Sequence, residues 1–357
     1  MKMKKILQIT AIIIFAFSFT CLGHAQPKND TPPNVLPVSV DYLFGFIDME
    51  GKIVVEPRYE WIGMFSEGMF DVEVDGKIGF VDNNGKIVIE PQFMEVGIFS
   101  EDLVYFTSDE GTNKKYGYID KSGAAVIKPQ FEKAGNFSDG LASVRIGDDK
   151  TGKWGFINQT GEFAIKPQFD FIDDLFGCFC DGLCAIRMGD SSKGKFGFID
   201  KTGAIVIEPR FEKAGNFSEG LAYVKTDGKY GFIDKSGKIA IEPKYISADD
   251  FSDGLAPVSI SPDMISEKWG YIDKSGKMVI DAKFDYCDRF SEGLACVKIS
   301  NLYGFIDKEG NMVIQPIFDD AINFCNGVAE VYTEGDFLTG KRGYINKSGA
   351  YIWKPTI

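Results

Sequence analysis

One glycine repeats too regularly to belong to a single globular core. A glycine between aromatic or apolar residues, followed by Ile or Val and then Asp or Asn, recurs nine times: Gly45, Gly79, Gly117, Gly155, Gly197, Gly231, Gly270, Gly304 and Gly343. The spacings run from 34 to 42 residues. A second glycine follows each at six residues, and a proline at twelve, with Ala282 as the single departure. Constant offsets inside a variable period describe a rigid unit with one elastic segment, and a period of this size marks a repeat architecture.

Local chemistry defines the unit. Trp154 to Ile157, Gln159-Thr160-Gly161 and Phe163 to Ile165 read as strand, tight turn and strand, because β-branched and aromatic residues flank a turn whose glycine needs positive φ. Upstream, Asp227-Gly228 between Leu221–Lys225 and Tyr230–Ile233 is a strong hairpin signal. Each unit is therefore expected to be a three-stranded antiparallel meander, ended by its proline. A link with two aromatics, such as Phe131 and Phe137, joins it to the next. The link glycine (Gly68, Gly140, Gly182, Gly220, Gly254, Gly293, Gly327) is replaced once by Asp102, which points to a left-handed turn. The glycine after each Trp or Tyr is expected to leave a hollow covered by a cross-strand aromatic, which ties Trp154 and Trp269 to sheet pairing. A lone meander cannot bury both faces, so all nine units should form one array.

The strings Lys153-Trp154-Gly155-Phe156-Ile157 and Lys268-Trp269-Gly270-Tyr271-Ile272-Asp273 resemble the bacterial WG-repeat (KWG-repeat) family, over roughly residues 36 to 357. The resemblance implies a tandem β-repeat protein, often secreted or envelope-associated, that acts as an interaction scaffold without assigned catalytic residues. Leu43-Phe44, Lys77-Ile78 and Ala282 depart from the pattern. The fold expected is all-β, an open twisted superhelix of stacked meanders, because the chain starts and stops in the same phase. The alternative is a closed β-propeller, which needs a fourth strand from the link.

Residues 1–25 carry Lys2, Lys4 and Lys5 before an apolar run from Ile6 to Phe19, the layout of a signal peptide with cleavage after Ala25. Lipid attachment at Cys21 is the rival reading. Residues 26–37, rich in proline, read as a tether, and 38–357 as the repeat domain. Cleavage would move the formal charge from −13 to −16, since three lysines and no acid are lost. That charge disfavours nucleic acid as a partner. No further stretch has the length of a transmembrane helix. His24 is the only histidine, so the expected mature chain has none for catalysis or metal binding.

Variation in length concentrates at the tip of the hairpin that precedes each repeat glycine, 11 to 16 residues after the link glycine. The long tips hold Asp109, Glu110, Asp148, Asp149, Asp190, Asp263 and Asp336, the candidate binding residues. In a stacked array such insertions fall on one side, where partners dock. Six cysteines follow Cys21, and Cys178, Cys180 and Cys184 cluster. Sister units place Ser138 and Ala142 at the positions of Cys180 and Cys184, so buried small positions explain them better than a metal, and the pairing is left open. The in-phase Asp48, Asp82, Asp120, Asp200, Asp234, Asp273 and Asp307 give way to Asn158 and Asn346, which suits turn capping and not acid catalysis. No metal or cofactor is implied. The expected function is a non-enzymatic scaffold for a protein or peptide partner. A glycan-binding module using exposed rings is the alternative, and a carboxylate-based glycan enzyme a remote third.

Overall fold

A computed structural model describes residues 32–354 apart from 41, 110, 112, 149, 173–178, 190–192, 261–266 and 337–338. The proposed signal peptide, Cys21, Glu110, Asp149, Asp190, Asp263 and Cys178 lie outside the described residues. All regular structure among the described residues is β, in nine separate antiparallel sheets.

Blade one contains β1 (Val35–Val40), β2 (Leu43–Asp48) and β3 (Ile53–Tyr59). Blade two contains β4 (Trp61–Ser66), β5 (Met69–Val74), β6 (Lys77–Asp82) and β7 (Ile87–Phe93), and its four-strand order recurs in every later blade. The three-stranded meander was thus one strand short. The missing strand comes from the link, as Lys133–Ser138 does in blade four, pairing Ala134 with Val144 and Phe137 with Ala142. β1 begins at Val35, inside the segment read as a tether, where Val35, Leu36 and Val38 are buried.

The core lies between blades. Phe80, Ile89 and Phe93 of blade two pack on Phe99, Val104, Phe106 and Ile119 of blade three, and each later pair of neighbours repeats this. The turn glycine of each blade sits on the fourth strand of the blade before: Gly123 on Ile89, Gly161 on Ile127, Gly237 on Ile207. Gly51 of blade one meets Ile352 and Trp353 of blade nine in the same way. Leu36, Val38 and Ile47 also pack on Val328 and Tyr344, and the Tyr344 hydroxyl donates to Pro37 O at 2.6 Å.

The chain is all-β and closes into a nine-bladed β-propeller, the alternative named from the sequence, and the preferred expectation of an open superhelix is corrected. The reason is physical. An open stack would leave an apolar face of blades one and nine in water, whereas closure covers both. Closure here needs no blade shared between the chain ends, which is why equal phase at start and finish misled the sequence reading. The fourth strands carry exposed residues along most of their length while the first strands are seldom exposed, so the fourth face outward and the first face the axis.

The hollow beside the repeat glycine is also filled differently. A Cβ on Gly155 would lie 2.5 Å from Ile165 O and 2.6 Å from Pro167 N, and Gly197 and Gly231 meet the same backbone. The bulged Ile-x-Pro segment of the neighbouring strand, not an aromatic ring, presses on the glycine. Trp154 and Trp269 instead sit half-buried at the edge of their inter-blade cores.

Candidate functional site

Strand alternation gives the ring two unlike ends. One end carries the link turns and the Asp-Lys-Ser-Gly turns, whose lengths hardly vary. At the link turn an acid and a glycine are both left-handed, as in Glu219 (φ 54°) and Gly220 (89°), and Asp102 adopts 66° as its sequence position required. The acid ties neighbouring blades together. Glu219 accepts the Gly254 N–H (3.2 Å) and pairs with Lys274 (3.1 Å), while Asp253 and Glu292 do the same with Gly293 and Lys308 and with Gly327 and Lys347. At the seam between blades nine and one, Asn326 and Met49 stand where that acid and lysine would be. The in-phase Asp residues cap their turns: Asp234 Oδ1 accepts the N–H groups of Ser236 and Lys238, and Asn158 Oδ1 those of Thr160 and Glu162. Hydroxyl donors Thr202, Ser236 and Ser275 hold Asp200, Asp234 and Asp273 below the usual carboxylate range.

The described residues of the variable hairpin tips lie at the opposite end. Among the candidate acids there, Asp109 accepts from Lys115 N–H (3.3 Å). Asp148 Oδ1 accepts from the N–H of Thr151 and Lys150 and from the Thr151 hydroxyl, which lower its pKa. Asp336 Oδ1 accepts from Thr339 N–H and Oγ1. These acids shape their own loops and do not converge on one spot.

Beneath the tips lies a layer the sequence reading missed. In three blades the lysine two residues before the repeat glycine pairs with an acid 17 residues on: Lys153 with Asp170, Lys268 with Asp285, Lys115 with Glu132 at 2.5 Å. Those lysines hold Asp170 and Asp285 below the ordinary range. On the neighbouring inner strands, Lys133 faces Arg145 across the sheet and Lys213 faces Lys225, like charges directly opposed. Arg187 stacks on Phe171 (4.4 Å), Lys225 lies over Tyr230 (5.3 Å) and Lys298 over Tyr303 (5.0 Å). Trp269, Tyr286 and Tyr303 form a run of rings with centroids 6.3 and 6.4 Å apart. Arg145, Arg187, Lys225 and Lys298 each lie five residues after a link glycine. Counting forward from that glycine would have found them, whereas counting back from the repeat glycine crosses the variable tip.

Two buried polar groups lie elsewhere. Near the axis, Arg289 bridges Asp250 (3.2 Å) and Asp249 (3.6 Å), and burial raises Asp288 to about 6. In blade nine, buried Arg342 pairs with Glu330 at 2.8 Å and lies over Phe44 of blade one. Cys180, Cys287, Cys296 and Cys325 are buried and outside any disulfide, while Cys184 is disulfide-bonded. Among the described residues no three His, Cys, Asp or Glu side chains are grouped to hold a metal, and no helix is long and apolar enough to cross a membrane.

No curated protein matches the chain. Among solved structures, it is similar to the β-propeller domain of the Trilobed protease from Pyrococcus furiosus, with 8% identity over 90% of this chain and 98% of that one and a TM-score of 0.42. It is also similar to the tricorn protease, with 10% identity, 90% of this chain against 44% of that one, and a TM-score of 0.28. At these TM-scores neither bears on function. The model of the WG containing repeat matches residues 44–77, 78–109, 116–150, 154–190, 196–230, 230–261, 269–303 and 303–335. Most of the chain is thereby covered, and the protein belongs to the WG-repeat family.

Proposed function

We propose that the protein is a non-enzymatic scaffold, exported by its N-terminal segment, that holds a protein or peptide partner on the hairpin-tip end of the ring. The carrying observation is the contrast between the ends. One is constant and tied blade to blade by carboxylates. The other collects nearly all variation in length, the one exception being the link from Pro167 to Gly182, over a layer of rings and cations. Rings and guanidinium or ammonium groups suit an acidic, aromatic-containing peptide, because the cations already opposed across the sheet gain from an anion between them.

The test shortens two long tips, 108–114 and 333–341, to the Asp-Gly form found at Asp75-Gly76. Partner recovery by the exported form is expected to fall while the thermal midpoint holds. Undiminished recovery would refute the reading. The alternative is a glycan-binding module, favoured by the run Trp269, Tyr286 and Tyr303, with Tyr286 42% exposed. Retention on polysaccharide that is lost with Tyr286→Ala would establish it instead.

A further inference from the structure

In each four-stranded blade one residue of the first strand faces the residue five places after the link glycine, or after Asp102, beside the variable tip. The charge of that pair changes sign around the ring. Blades four, five and six hold Lys133 with Arg145, Phe171 with Arg187, and Lys213 with Lys225, five cations and no acid. Blades nine, two and three hold Asp320 with Tyr332, Trp61 with Glu73, and Glu95 with Thr107, three acids and no cation. Blade seven is neutral, with Ser247 and Ser259, and blade eight carries Lys298 beside Tyr286. Ser39 holds the second-strand place in blade one. In a ring of nine, blade five stands across the axis from the seam between blades nine and one, so the two arcs oppose each other.

Neighbouring groups leave this polarity in place. The acids next to the basic arc are engaged locally: Glu132 pairs with Lys115, Asp170 pairs with Lys153 and accepts the Gly189 N–H (2.8 Å), and Glu212 accepts the Gly228 N–H (3.3 Å). The tips on this side, residues 147–153, 189–195 and 227–229, add five lysines against four aspartates. On the other side Glu95 pairs with Lys114, and Arg342 is buried on Glu330. The tips there, residues 333–341, 41–42, 75–77 and 108–115, add six acids against four lysines, and Glu60 and Asp319 flank them. Lys133 and Lys213 are exposed, and Glu73 and Asp320 are half-buried.

We propose that the tip end takes a polypeptide segment of divided charge, laid across the axis with its acidic half over blades four to six and its basic half over blades nine, two and three. The inference rests on the tip-end reading above and adds the partner's charge pattern and its orientation. Complementary potentials of this kind select a partner and fix its register. The opposed cations, Lys133 with Arg145 and Lys213 with Lys225, repel one another until a carboxylate lies between them. Arg187 on Phe171 (4.4 Å) and Lys225 over Tyr230 (5.3 Å) are held by rings. A uniformly anionic polymer would gain at the basic arc and be repelled by Glu73 and Asp320 across the axis, so a segment carrying both signs fits better.

The probes are two fluorescent synthetic peptides of equal composition, titrated by anisotropy into the chain beginning at Gln26. One carries five glutamates and a tyrosine ahead of five lysines, and the other has the same residues with the charges alternating. The block peptide is expected to bind at least tenfold more tightly, with the advantage lost in high salt. Lys133→Glu with Lys213→Glu should weaken it at least tenfold while the thermal midpoint holds or rises, since each change relieves a like-charge pair. Glu73→Lys with Asp320→Lys should weaken it as much. All four substitutions together should restore binding, because the peptide then lies turned end for end. No binding, equal binding of the two peptides, or an all-glutamate peptide that binds as tightly as the block peptide would overturn the proposal. So would failure of the fourfold variant to restore binding, or self-association of the protein that displaces the peptide, because the occupant would then be a second copy of this chain. Shortening the tips 108–114 and 333–341 leaves these four residues in place. Loss of partner recovery in those variants without block-peptide binding would therefore sink this inference alone.

Discussion

Replacing Gly231 by alanine tests the packing rule on which every blade depends. A Cβ there would lie 2.5 Å from Ile241 O, 2.6 Å from Pro243 N and 2.8 Å from Pro243 Cα. All three atoms are backbone, so no rotamer change relieves the contact. Restoring ordinary separation moves the fourth strand by roughly 1 Å, off the bulge that brings Tyr245 opposite Tyr230. Overpacking of this kind costs about 1–3 kcal/mol, and the rigidity of the neighbours places Gly231→Ala near the upper end. Gly228→Ala is the control. That tip glycine has φ +74° and nothing within 4 Å, so only the left-handed penalty of about 1–2 kcal/mol applies. Equilibrium urea unfolding of the two variants decides the matter. A cost for Gly231→Ala equal to or below that of Gly228→Ala would refute the backbone-contact explanation.

Other expectations follow from the same geometry. Met49→Lys with Asn326→Asp installs the absent ion pair at the seam and should stabilise by about 0.5 kcal/mol, less in high salt; urea titrations at two ionic strengths read it, and a salt-independent change contradicts it. Arg342→Met leaves Glu330 buried and unpaired and should cost about 3–5 kcal/mol, while adding Glu330→Leu should recover much of that; equal losses in the single and double variants would count against it. Ser218→Ala removes the Oγ hydrogen bond to Phe251 O in the next blade (2.6 Å) and should cost about 1 kcal/mol by the same titration. Asp71 lies against Gly63, and burial raises its pKa to about 7. The folded form therefore keeps a proton that the unfolded form releases, and stability falls as the pH rises from the ordinary carboxylate range to about 7. Asp71→Asn should raise the thermal midpoint at pH 8 and much less at pH 4, and equal shifts at both would contradict this.

The repeat unit was legible because its signals are local. Two glycines and a proline at fixed offsets mark turns and a bulge that depend on neighbours in the chain. The left-handed place of Asp102 and the turn-capping Asp and Asn residues were read correctly for that reason. Ring closure was not legible, since it depends on the angle between blades, which no residue encodes alone. The link strand was read only as part of the closed alternative because in most blades it pairs through only two residues, as at Lys213–Ala214. The acids of the long tips drew attention by their charge, yet Asp148 and Asp336 bind their own loops. The cations below them were hidden by the variable tip that separates them from the repeat glycine.

Small-angle scattering of the chain beginning at Gln26 tests ring closure most directly. A closed ring of about 320 residues is expected to give a radius of gyration near ~20 Å and a flat, disc-like profile. Nine sheets stacked openly at ~10 Å spacing would instead extend to about 90 Å, and a rod-like profile of that length would contradict the closed propeller.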